Sequence, residues 1–237
     1  MKVKVYGSGS SGNTYTLTSS TGETLVLDAG VNPKDVFKDV RPENISAVLV
    51  SHTHGDHIAY LNRYFACFVP CVAPIEDNKA IIPEVKKKLV IGGFSITPLE
   101  MYHDVPCFGY YITHKEAPNG ILYATDTIRM KYKFKRLSLA IIEADYDAES
   151  IRENTNSGLV PVSVAERTKK THFSLEKAIW YCKNGIEMLN QVMLVHLSEQ
   201  NANAEKFRTL FTKEVGIEPI IAMKGVEFEV KEFSLFA

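Results

Sequence analysis

The stretch Leu49–Leu61 reads LVSHTHGDHIAYL and carries three of the chain's seven histidines within six positions, with an aspartate among them. The run AVLVS (Ala47–Ser51) that leads into it is short, apolar and β-branched, the pattern of a buried strand. The spacing is therefore His52-x-His54-x-Asp56-His57 just beyond a strand end. His52 and His54 lie two apart, so extended backbone turns both imidazoles to one side. Gly55 permits a sharp turn, after which Asp56 and His57 face another direction. One loop thus offers two nitrogens to one metal ion and a carboxylate plus a nitrogen to a second. Such donors suit zinc, with manganese or iron(II) as substitutes. A lone H-x-H is ordinarily a polar loop, whereas this four-residue cluster behind an apolar strand is a far more specific signal.

Working outward, the first third of the chain reads as strands at Val3–Gly7, Thr14–Ser19 and Thr24–Gly30, with Ser20–Glu23 (STGE) as a hairpin turn. Further strands are expected at Phe94–Tyr102, Gly109–His114, Gly120–Thr125, Leu137–Ala144 and Gln191–Leu197. Helical periodicity marks Pro33–Val40, Ala148–Asn154, Ser174–Gly185 and Asn201–Gly216, with Ser174 as an N-cap and Gly185 as a terminator. Strands cluster first and then alternate with helices, which predicts an α/β protein with helices covering two packed sheets. No repeat, low-complexity tract or Pro/Gly-rich linker interrupts the chain, so residues 1–237 read as one domain.

Composition narrows the function classes. The chain is 45% hydrophobic and 23% charged, as ordinary globular proteins are. No apolar run reaches the ~18–20 residues of a membrane helix, and MKVKVYGSGS lacks the apolar core of a signal peptide. A cytoplasmic protein with no membrane partner is expected. Cys67, Cys71, Cys107 and Cys182 show no paired C-x2-C spacing, and are expected to be small buried hydrophobes. The net charge of −1 does not advertise the basic surface that polymer-tracking proteins carry, and leans toward a small substrate.

Gly7-Ser8-Gly9-Ser10-Ser11-Gly12 satisfies G-x-G-x-x-G after a strand. A dinucleotide fingerprint must open a helix, and NTYTLTSS reads instead as a second strand. A loop flanking the site is the better reading.

The HTHGDH pattern resembles the signature of the metallo-β-lactamase superfamily. The resemblance implies a four-layer αββα sandwich, two mixed sheets flanked by helices, and three further ligands at the ends of later strands. His103 in YHDVPCFGY, Asp126 after GILYAT and His196 in VMLVHLSEQN stand where the family has them. By this resemblance His52, His54 and His103 hold one metal, Asp56, His57 and His196 hold the other, and Asp126 bridges the two. Two such metals acidify a bridging water into a nucleophilic hydroxide, so Asp56 is a catalytic as well as a ligating candidate. Asp28, which ends LVLD, matches a family aspartate that orients a ligand histidine; a simple strand-end cap is an equal reading. His172 matches a non-ligand histidine that contacts phosphate or protonates the leaving group in phosphodiesterase branches. His114 has no partner of this kind and is read as structural or exposed.

GSGSSGNTYTL, HDVPCFGY and HLSEQN look most like the small bacterial and phage members. These include an exonuclease-like bacterial group and the phage anti-Pycsar enzymes, which hydrolyse cyclic nucleotides. The ligand intervals exclude the RNA-cleaving branch with its large inserted domain, and little chain follows His196 for the helical domain of glyoxalase II. The expectation is a phosphodiesterase acting on a cyclic nucleotide, with a DNA or RNA exonuclease as the alternative and a non-catalytic metal-binding module as a remote one. A homodimer is implied by the resemblance alone. Arg152–Thr171, running up to His172, is the natural substrate or dimer-contact loop, with Arg167, Lys169 and Lys170 as candidate substrate contacts; a solvated charge run is the rival reading.

Overall fold

Alternating apolar residues near the N-terminus build a sheet by the shortest route. In the computed structural model, which describes residues 1–233, β1 (Lys2–Gly7), β2 (Thr14–Thr18) and β3 (Thr24–Leu27) form an antiparallel meander. β4 (Ile45–Leu49) then pairs parallel with β3, followed by the two-residue strands β5 (Cys71–Val72) and β6 (Ala80–Ile81). The second sheet begins as a meander of β7 (Leu89–Ile91), β8 (Phe94–Met101), β9 (Cys107–His114) and β10 (Ala117–Ala124). It continues in parallel with β11 (Phe134–Glu143), β12 (Ile186–Val195) and β13 (Ile220–Ile221). β14 (Glu227–Glu229) returns to the free edge of β1, giving two seven-stranded sheets.

The inner faces meet in one core, where Val3, Val5, Leu17 and Leu27 pack with Phe94, Ile96, Ile121, Ile141 and Val195. Each such fully buried side chain stabilises the fold by about 1.5–3 kcal/mol. Outside the first sheet lie α1 (Pro33–Val36), α2 (Gly55–Ile58) and α3 (Leu61–Ala66), anchored by Val36, Leu61 and Tyr64 against Val26 and Val48. Between β11 and β12 the chain forms α4 (Ala148–Asn156), α5 (Val162–Thr171) and α6 (Leu175–Asn184), and α7 (Ala204–Val215) follows β12. α6 and α7 cover the second sheet through Ala178, Tyr181, Phe207 and Phe211. The layering is therefore the αββα sandwich expected. Among the described residues, no helix is long and apolar enough to cross a membrane.

Ser174 caps α6 by accepting the Lys177 N–H, and Gly216 ends α7 at φ 80°, where a Cβ would be strained. Three expectations need correction. The helix expected over Pro33–Val40 stops at Val36, because the chain tightens into a three-residue turn, Asp39 N–H to Val36 O at 3.0 Å. Most of the expected loop Arg152–Thr171 is helical, in the end of α4 and all of α5. Cys71, Cys107 and Cys182 are buried free thiols, but Cys67 is exposed beyond the end of α3.

Candidate metal centre

The parallel pairing of β3 with β4 and of β10, β11 and β12 brings their C-terminal ends to one edge of the sandwich. The segments past those ends, and past β8, carry the polar residues. Asp28 follows β3, the cluster His52–His57 follows β4, His103 follows β8, Asp126 follows β10 and His196 follows β12. α2 begins at Gly55 with His54 as its N-cap, so the helix swings Asp56 and His57 away from His52 and His54. Glycine beneath this loop is required by contact: a Cβ on Gly30 would lie 1.7 Å from the Asp56 carbonyl oxygen.

Two donor groups result. His52, His54, His103 and Asp126 each present one atom with all four within 4.8 Å of one another, and Asp56, His57 and His196 do the same. Asp126 stands between them, 3.7 Å from His52 Nε2 and 3.5 Å from His57 Nε2. The seven residues expected as ligands are thus brought together in the two groupings expected.

The outward nitrogens are held. His57 Nδ1 donates to Asp28 Oδ2 at 2.6 Å, His103 Nδ1 donates to Thr171 O at 2.9 Å, and His196 Nδ1 lies 3.4 Å from Asp145 Oδ1. This fixes tautomer and ring plane and aims each Nε2 inward. Asp28 also accepts from Ser51 N at 2.6 Å and from the Tyr123 hydroxyl. It therefore touches a ligand candidate, which favours the orienting reading over a strand cap.

His52 supplies the test of whether ions fit here. Its Nε2 is buried without a hydrogen-bond partner and faces Asp126; a buried polar atom left so is costly unless something ligates it. Burial, reinforced by the charge of His57, pushes the His52 imidazole down to about 2, so it stays neutral, as a ligand must. Burial opposes charge on His57, yet Asp126 and Asp28 push it up to about 10. His196 is raised for the same reason, chiefly by Asp126 against burial. Burial would also raise Asp56, but bonds from His196 and His57 hold it well below the usual carboxylate range. The donor set, five imidazoles with the carboxylates of Asp56 and Asp126, fits divalent ions of the zinc type.

His172, at the end of α5, lies beside both groups. Its ring stacks on His196 at 5.3 Å and its Nδ1 is 2.6 Å from Glu143 Oε1. Glu143 could itself be counted with Asp126, His172 and His196 as a ligand group. Its other oxygen, however, accepts Thr127 N at 2.9 Å and Phe173 N at 3.1 Å. Those bonds occupy that oxygen, while burial raises the Glu143 carboxyl and the His172 ring opposes it, so Glu143 is better read as the residue that positions His172. Burial disfavours charge on His172, but Glu143 holds it up to about 9.

A cleft of about 250 Å³ opens above the centre, walled by Ser10, Asp56, Asp126, Arg167, His172 and His196. Arg167 reaches it on the same α5 face as Val164, Thr168 and Thr171, and lies 3.4 Å from Asp104. Lys169 and Lys170 are exposed off that face; Lys169 lies 3.5 Å from Glu166. His114 is buried against Phe94, away from the cleft. The glycine-serine loop after β1 opens no helix: Ser8 Oγ accepts the His196 N–H at 2.9 Å and Asn13 Nδ2 lies 3.1 Å from His57 Nε2. Sequence reading missed Glu143, Asp145 and Asn13. The one available signal was acidic residues closing an otherwise apolar strand, LSLAIIEAD.

The fold is thus an αββα sandwich with a histidine–aspartate cluster at its sheet edge. Residues 7–80 match a family model described as the metallo-beta-lactamase superfamily. It is 26% identical over 180 residues to the exodeoxyribonuclease WalJ of Streptococcus pneumoniae, covering 65% of this chain. The chain spans 66% of the length of that curated relative. Among solved structures, the metallo-beta-lactamase fold protein YhfI of Bacillus subtilis superimposes with a TM-score of 0.74 at 20% identity, covering 96% of this chain and 99% of its own. Zn(2+)-bound PqqB of Methylobacterium extorquens gives a TM-score of 0.72 at 12% identity, covering 97% and 100%.

Proposed function

We propose that this chain is a dinuclear-metal phosphodiesterase acting on a phosphodiester of a nucleotide or nucleic acid. The observation that carries this reading is the division of inward-facing donors into two sets on either side of Asp126. His52, His54 and His103 would hold one metal, Asp56, His57 and His196 the other, with Asp126 shared. Ions held there, zinc first and manganese or iron(II) as substitutes, would supply Lewis-acid polarisation of a phosphoryl oxygen and acidification of water.

The chain's own residues complete the chemistry. His172 is tied to Glu143 through Nδ1 and lines the cleft. Its Nε2 is thereby free to give a proton to the departing ester oxygen as the P–O bond breaks, while Glu143 stabilises the charged ring. Asp56 keeps an ionised oxygen toward the cleft, where it orients the attacking water. Arg167 at the mouth meets the negative charge of the phosphate.

The name of the Streptococcus pneumoniae relative supports DNA as the polymer. The second reading is a 3′,5′-cyclic nucleotide, favoured by the compactness of the cleft, about 250 Å³. A hydrolysis panel with metal-loaded protein decides: cyclic purine and pyrimidine nucleotides against single-stranded and duplex DNA and RNA. Asp126→Ala is expected to abolish turnover of whichever substrate responds and to lower bound metal. Undiminished turnover in that variant would exclude the dinuclear reading.

A further inference from the structure

From just past the centre into the first residues of β11 the chain reads Arg129-Met-Lys-Tyr-Lys-Phe-Lys-Arg136, five cations in eight residues of a chain whose net charge is −1. Exposure alternates along it. Arg129, Lys131, Lys133 and Lys135 are exposed, while Met130, Tyr132 and Phe134 are half-buried and pack on the α6 side of the second sheet. In extended chain such alternate cations stand about 6.6 Å apart on one side, comparable to successive phosphates of an extended single strand. Lys131 pairs with Glu100, and Arg129 lies 3.9 Å over the Tyr102 ring. Among the described residues, Lys133, Lys135 and Arg136 form no ion pair.

This run borders a groove of about 350 Å³ against α6, lined largely by apolar atoms of Ile128, Phe173, Trp180 and Tyr181 with Arg129 and Lys177 on its rim. Its one lining carboxylate, Glu176, is engaged by the Ala148 N–H at 3.0 Å. Trp180 is 62% exposed, an indole with an open face. The two walls run in step away from the centre. Lys177 Nζ donates to Ile128 O at 3.1 Å, the Tyr181 hydroxyl to Tyr132 O at 2.9 Å, and Phe134 N–H to Gly185 O at 2.9 Å. The upper end is tied to the centre, because Ile128 N–H donates to Tyr102 O at 2.9 Å beside His103, and Phe173 follows His172.

We propose that this groove and its basic border form a track for a single-stranded polynucleotide leading to the hydrolytic cleft, with bases stacking on Trp180 and phosphates following Arg129, Lys131, Lys133 and Lys135. The proposal deepens the phosphodiesterase reading and rests on it for its purpose. It combines the two elements of sequence-tolerant single-strand binding, an aromatic platform and a cationic line. All five cations of the run are absent from the cleft walls, so the track accounts for charge that catalysis leaves unused.

The test uses the full chain and two variants at exposed positions, Trp180→Ala and the double change Lys133→Ala with Lys135→Ala. Binding of a fluorescein-labelled fifteen-nucleotide oligothymidylate is followed by anisotropy in EDTA, and turnover of bis(p-nitrophenyl) phosphate is followed with metal. Trp180→Ala is expected to weaken oligonucleotide binding about fivefold or more, given the ~1–3 kcal/mol that stacking contributes per base. The double variant is expected to flatten the slope of log affinity against log salt by about 1.4. Small-diester turnover should stay unchanged in both. Oligonucleotide affinity and salt slope equal to the parent's in both variants, or no binding by the parent, would overturn the track. If the parent hydrolyses no diester yet loses oligonucleotide binding in the variants, the track stands and the phosphodiesterase reading fails.

Discussion

Asp28, Asp126 and His196 share a backbone feature. Each lies in the left-handed region, at φ 59°, 47° and 55°, within two residues of a strand end. Non-glycine residues held there carry roughly 1–3 kcal/mol of strain that the surroundings must offset, and such strain gathers at functional sites. At this scale the local cluster His52–His57 was readable, because all its members share one turn. Glu143 was not: its partner His172 lies 29 positions away, and only the fold closes them to 2.6 Å. Their pairing sets a prediction. His172→Ala should lower kcat by about 10²–10⁴ against a diester with a poor leaving group. It should barely change turnover of a p-nitrophenyl diester, whose leaving group needs no proton. Equal losses on both substrates would argue for a structural role.

The elements differ in how plainly they announced themselves. A long alternating strand such as β8 was legible to within a residue, whereas β12 was read only from Gln191 and begins five residues earlier, at Ile186. β5, β6 and β13, two residues each, carry too little pattern to read. α5 escaped because Ala165 and Thr171 are its only buried residues, which leaves no apolar stripe of helical period. The basic run after Asp126 also escaped, because a near-neutral total hid a local concentration of charge. Where element meets element, Gly30 is the tightest joint, since its missing Cβ makes room for the Asp56 carbonyl. Gly30→Ala is expected to destabilise the fold by roughly 2–3 kcal/mol in denaturant titrations and to lower bound metal by displacing Asp56 and His57. A variant of parental stability and metal content would refute that close packing.

Across the whole molecule, the charge held at this centre couples it to pH. Asp126 and Asp28 hold His57 up to about 10, and Asp126 raises His196 against its burial, so both rings hold a proton more tightly than a free imidazole. A metal ion takes only the unprotonated ring, so protons must leave as it enters. Zinc uptake near pH 7 is therefore expected to release protons, and affinity to rise as pH climbs toward 10. Calorimetry in buffers of different ionisation enthalpy measures this directly; buffer-independent heats would contradict it.

The same centre lies where the two sheets meet. His52, His54, Asp56 and His57 extend from the first sheet, and His103, Asp126 and His196 from the second. Even without ions, the Tyr110 hydroxyl bonds Val50 O at 2.6 Å and Phe108 N–H bonds Ser51 O at 2.9 Å across this seam. Shared ligation would turn the seam into a cross-link joining residues far apart in the chain. Unfolding would then have to break it before the sheets could part, so ions held by this cluster would make it a topological clasp that slows unfolding.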